Sequence, residues 1–74
     1  METNYSNGRY NVFGSNGQLI GLIDGDEFVR NGLRLIYRID GAEVYEINGG
    51  LLGFIDDGVA TTQDGVKLFT ILSE

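Results

Sequence analysis

The chain predicts an all-β fold in which four ungapped 16-residue β-hairpin repeats run as a meander and close into a small barrel or flower with pseudo-fourfold symmetry. Three observations lead there. Ile23, Ile39, Ile55 and Ile71 stand 16 residues apart, and self-similarity at a fixed period marks a repeat architecture. The apolar runs between turns, such as Glu27-Phe28-Val29-Arg30 and Arg34-Leu35-Ile36-Tyr37-Arg38-Ile39, are rich in β-formers and too short for a helix of two or three turns. Asn-Gly and Asp-Gly dipeptides interrupt the chain every 7–9 residues, the spacing of strands in a barrel or sandwich.

In chain order, residues 1–10 form a polar leader, followed by copies at 11–26, 27–42, 43–58 and 59–74. Each copy opens with an apolar residue of the column Val12, Phe28, Val44, Ala60. A turn follows at Asn16-Gly17, Asn31-Gly32, Asn48-Gly49 or Asp64-Gly65, the second copy being offset by one residue. Its second strand then carries two neighbouring columns, Leu19, Leu35, Leu51, Lys67 and Ile20, Ile36, Leu52, Leu68. Asp24-Gly25, Asp40-Gly41 and Asp57-Gly58 close the first three copies. Because Asn-Gly and Asp-Gly accept positive φ at both central positions, these sites are expected to be type I′ turns of tight hairpins. The result is about eight short antiparallel strands and no helix.

Gly21, Tyr37, Gly53 and Phe69 occupy one column, so glycine and a large ring alternate and the symmetry is twofold-modulated. Four rings around one axis would crowd a closed sheet, whereas an open sheet gives no reason to alternate. Rings that cover glycine backbone are one known use of such pairs.

A chain of 74 residues and 8.1 kDa is one domain. It has no cysteine or histidine, hence no disulfide and no zinc site of those ligands, which leaves regular packing and association as stabilisers. Apolar residues also come in adjacent pairs, Leu19-Ile20, Leu35-Ile36 and Leu51-Leu52 among them, so both faces of a strand are hydrophobic. Either a partner covers one face, most simply a second copy in a homodimer, or a bulge in each strand turns both residues inward.

Net charge −6 and a pI near 4.3 exclude a phosphate-binding nucleic-acid face and disfavour anionic membranes. No apolar run has transmembrane length and no basic-then-apolar leader is present, so the chain as given is expected in the cytoplasm by default. Catalysis has little to work with. Without histidine or cysteine there is no obvious base or thiolate, and Lys67 has no evident partner. Asp56-Asp57 and Asp26-Glu27 are adjacent carboxylates, which point to opposite faces of a strand and so do not make an acid/base pair. The glycine-containing tips lack the strand-to-helix setting of a phosphate loop, and no cofactor signature is present.

Two constellations could bind something. Asp24, Asp40 and Asp56 share a column, and in a closed ring three carboxylates on one rim could hold a hard cation such as Ca²⁺; the competing reading is Asx turns and solvated carboxylates. Arg30, Arg34 and Arg38 all fall in the second copy and could form a basic patch for an anionic ligand or a second subunit; the competing reading is salt bridges to Asp40 and Glu43.

The four ungapped units, with runs of the form Leu-Ile-Gly-Leu-Ile-Asp-Gly and Leu-Leu-Gly-Phe-Ile-Asp-Asp-Gly and a following Phe-Val or Val-Tyr pair, resemble the bacterial four-fold beta flower proteins over residues 11–72. The resemblance implies a small closed β assembly with four petals and brings no catalytic residues. The fourth copy departs from the pattern, with Lys67, Thr70 and Leu72 in place of apolar, apolar and Asp. The function expected is a non-enzymatic structural or protein-interaction module, with binding of a small ligand or divalent cation through the Arg or Asp residues as the alternative.

Overall fold

The computed structural model describes residues 5–74. After a single 3-10 turn at Tyr5–Asn7 come eight strands: β1 Arg9–Gly14, β2 Leu19–Asp24, β3 Phe28–Asn31, β4 Arg34–Asp40, β5 Glu43–Glu46, β6 Leu51–Asp56, β7 Val59–Thr62 and β8 Lys67–Ser73. Each pairs antiparallel with its sequence neighbour, and β1 pairs with β8 from Tyr10↔Ser73 to Gly14↔Phe69, so the meander closes within one chain. The first strand begins inside the segment expected as leader. Arg9 and Tyr10 belong to β1, the Tyr10 ring meets Tyr5 edge-on at 5.2 Å, and the Gly25 N–H donates to the Gly8 carbonyl at 2.9 Å. Residues 1–4 of that leader lie outside the described residues.

The interior is built from the repeat columns. Ile23, Ile39, Ile55 and Ile71 are buried, as are Val12, Val29, Val44 and Ala60 from the short strands. Val29 takes the inner place that the 16-residue register assigns to Phe28, which is half-buried. The cause is a compensated shift. The β2–β3 connection holds three residues, Gly25 to Glu27, where Gly41-Ala42 and Asp57-Gly58 hold two, and the next hairpin encloses one residue fewer within its Arg30↔Leu35 pair than lies within Tyr45↔Leu51. One residue gained and one lost restore the register at Leu35.

The ring-and-glycine column lies inside. Tyr37 on β4 and Phe69 on β8 come from opposite walls, and their rings meet with centroids 5.0 Å apart. An eight-stranded barrel is just wide enough to be filled by side chains, so two rings at this level leave room only for glycine on β2 and β6. Glycine is also needed for a close backbone approach. A Cβ on Gly53 would stand 1.8 Å from the Thr61 carbonyl oxygen, and one on Gly21 2.7 Å from that of Arg30.

Adjacent apolar pairs are resolved by bulges. In all four hairpins the register skips one residue of the long strand, namely Ile20, Ile36, Leu52 and Leu68. These four are half-buried and pack on the core, and such bulges add the twist that closure requires. The bulge accounts for this column and not for its neighbours, since Leu19, Leu35 and Leu51 stay exposed.

Turn geometry departs from the type I′ expectation. Only Asp57-Gly58 has positive φ at both positions, 53° and 78°. In three hairpins the glycine N–H donates back to the first turn residue, as from Gly17 to Gly14, Gly49 to Glu46 and Gly65 to Thr62, each at 2.9 Å. This is a type I turn closed by a left-handed glycine, the three-residue alternative to I′. Asn16 Oδ1 accepts from the Gln18 N–H at 3.1 Å, so asparagine acts here through its side chain and not through positive φ.

Gly53→Ala is expected to cost about 3 kcal/mol or more in urea denaturation, with Gly21→Ala next, because backbone must move in both cases. Gly17→Ala, with open space around it but φ of 83°, should cost only about 1 kcal/mol. Equal costs at all three positions would contradict the close-approach explanation.

Candidate functional site

Antiparallel order places the four hairpin tips, at 15–18, 32–33, 47–50 and 63–66, on one end of the barrel and the three connections between repeats on the other. The two ends differ chemically. Asp24, Asp26 and Glu27 lie in or beside the first connection, Asp40 and Glu43 flank the second, Asp56 and Asp57 lie at the third, and Glu74 follows β8 at the same end. The tip end instead holds Leu19, Leu33, Leu35, Ile47, Leu51 and Val66, six of the eight large hydrophobic residues that are exposed among those described. Leu33 is fully exposed, at 104 %.

Cations follow the same division. Arg9 pairs with Asp24 and with Glu74, both at 3.5 Å. Arg30 pairs with Asp26, its Nε being buried without a hydrogen-bond partner, and Arg38 sits 3.7 Å from Glu27 and 4.0 Å from Asp40. Arg38 also lies 4.4 Å above the Tyr45 ring, a cation–π contact. No ion pair among the described residues involves Arg34, Glu46, Asp64 or Lys67, the four charged residues around the apolar tips. Two cations and two carboxylates leave that end neutral, while the eight carboxylates named at the opposite end outnumber the three arginines paired with them.

The sequence-derived candidates fall as follows. Asp24, Asp40 and Asp56 each end a long strand on the acidic rim, yet no group of three carboxylates among the described residues is close enough to hold a metal ion. The three arginines sit on the neighbouring strands β3 and β4, Arg30 opposite Leu35, Arg34 opposite Asn31 and Arg38 opposite Phe28. Arg30 and Arg38 pair with carboxylates, whereas no ion pair among the described residues involves Arg34.

The β2–β3 seam is the loosest, held in register by Leu22↔Arg30 alone, whereas β4–β5 and β6–β7 each carry four aligned pairs. The extra connection residue accounts for this. A cleft of about 320 Å³ opens there, lined by Leu19 to Leu22 and by Arg30 to Gly32, next to the apolar end. Sequence reasoning placed Leu19, Leu35 and Leu51 on a strand face. The tips Leu33, Ile47 and Val66 escaped it, because they lie outside the aligned columns, although counting strand direction along the meander puts all six on one end.

Comparison with protein-family models, curated proteins and solved structures finds no match for this chain, so the resemblance to the four-fold beta flower proteins rests on the repeat pattern alone. No helix among the described residues is long and apolar enough to cross a membrane.

Two outcomes are expected. In native-state hydrogen exchange, the amides of Arg30 to Gly32 should exchange faster than their counterparts in β5 and β7; equal protection would mean the seam is closed. The Tyr45 hydroxyl donates to Glu43 Oε1 at 2.9 Å, and this bond, with partial desolvation and nearby carboxylates, raises the phenol above its ordinary pKa of 10.0 despite the opposing Arg38. A phenol held neutral adds stability below its unfolded pKa and loses it as pH rises through the folded one. The stability difference between the chain and Tyr45→Phe should thus change in disfavour of tyrosine as pH rises through the folded pKa, and Glu43→Gln should bring the ultraviolet titration of Tyr45 back toward 10.0.

Proposed function

We propose that the chain is a non-enzymatic protein-interaction module whose docking surface is the end of the barrel formed by the four hairpin tips. One observation carries this reading: six exposed large hydrophobic residues gather there, rimmed by charged groups that enter no ion pair among the described residues. Exposed apolar residues scattered singly are ordinary, whereas a contiguous apolar surface with a polar rim is the anatomy of an interface. The barrel interior is occupied by the contacting rings of Tyr37 and Phe69 and by the buried aliphatic residues.

None of the six is part of the buried core, so changing them separates docking from folding. Leu33→Glu and Ile47→Glu are each expected to shift stability by no more than about 0.5 kcal/mol. At micromolar protein each should markedly reduce the fluorescence of a bound anilinonaphthalene sulfonate dye. Leu72→Glu, near the acidic end and more exposed than Ile47, should leave that signal unchanged. Dye binding insensitive to Leu33 and Ile47, or as sensitive to Leu72, would contradict the assignment.

A further inference from the structure

We infer that the occupant of the apolar end is a second copy of this chain, docked head to head about a twofold axis that sets the second tip of each copy against the third tip of the other. The inference rests on the reading of that end as a docking surface.

Charge selects the face. Two copies of a chain of net charge −6 repel each other, and the acidic end concentrates that repulsion, whereas the tip end carries Arg34 and Lys67 against Glu46 and Asp64 and is neutral. Size also permits the pairing. With principal extents of 28 × 27 × 25 Å, the end face is of the order of 500 Å² per copy, so a pair buries on the order of 1,000 Å², the lower limit of specific interfaces. Such a dimer is weak and concentration-dependent.

The register follows from symmetry. The tips succeed one another around the ring in chain order, and a twofold axis in the plane of that end reverses the order. An axis through tips one and three opposes two copies of Glu46, and one through tips two and four opposes two copies of Arg34. An axis between tips one and two places Glu46 against the mixed charges of Asp64 and Lys67. Only the axis between tips two and three gives opposite charges twice, Arg34 of each copy facing Glu46 of the other, and it also faces Leu33 with Ile47. Tip one, which has no charge, then lies against tip four, where Asp64 and Lys67 balance. Rim ion pairs of this kind set orientation more than affinity, which the apolar contact supplies.

The test is solution mass by light scattering or sedimentation between about 1 µM and about 1 mM protein, the range in which an interface of this size associates. The chain should pass from one to two copies with rising concentration. Arg34→Glu and Glu46→Arg should each remain monomeric, and the double variant should dimerise again, more weakly as salt is added. Dimers in both single variants, or no recovery in the double variant, would overturn the register. A chain monomeric throughout, with dye binding that still falls in Leu33→Glu, would keep the docking surface and overturn the second copy as its occupant; binding of that monomer to zwitterionic vesicles would assign the end to lipid instead. A monomer with no dye binding would overturn both readings.

Discussion

An eight-stranded barrel interior has room for two aromatic rings at one level and not for four, and this limit on volume governs the rest of the molecule. Tyr37 and Phe69 meet from opposite walls while Gly21 and Gly53 stand on the walls between them. Four identical repeats could not fill that space, since four rings would overpack it and four glycines would leave it empty. The same glycines admit the backbone of β3 and β7 to distances that any side chain would forbid. The alternation thus serves packing and strand approach together. The rings pack on each other across the interior, so filling volume, and not the covering of an adjacent glycine, is their main work.

Closure in turn decides what the surface becomes. The meander sends every odd strand toward one end and every even strand toward the other, so residues at like positions in each repeat are gathered on a common rim. Small local preferences that recur in three of the four repeats accumulate on one rim in this way. Asp beside glycine in successive connections becomes an acidic end, and leucine, isoleucine or valine at successive tips becomes an apolar one. The bulge column contributes by turning Ile20, Ile36, Leu52 and Leu68 partly inward and leaving the residue before each of them, apolar in three of four, toward solvent. An exposed leucine at that place adds little to the stability of a lone chain. It acquires a physical role once another surface covers it.

The sequence made the strand number, the meander, closure and most of the core legible, because the 16-residue columns report side-chain facing directly. Ile23 and its three equivalents are inward in every repeat. Other features were hidden for identifiable reasons. Phe28 and Val29 are both apolar, so the one-residue gain in the β2–β3 connection and its later cancellation leave no trace in hydrophobicity, and the offset of Asn31-Gly32 was its only sign. Asn-Gly suits a type I′ turn and equally a type I turn ending in a left-handed glycine, and hairpin length, not the dipeptide, selects between them. Asp24, Asp40 and Asp56 share a column and a rim, but a rim as wide as the barrel keeps them apart. Two of the three arginines, Arg30 and Arg38, are engaged by carboxylates, which their spacing in the sequence did not show.

One chain closes on itself around the Tyr37–Phe69 contact. Nuclear Overhauser spectroscopy on a mixture of differently isotope-labelled chains tests it most directly. Contacts between the two rings, and between Val12 and Ile71 across the β1–β8 seam, should appear within each labelled chain and never between chains. Cross-peaks between chains at that seam, or a Phe69 ring without contact to Tyr37, would contradict the account.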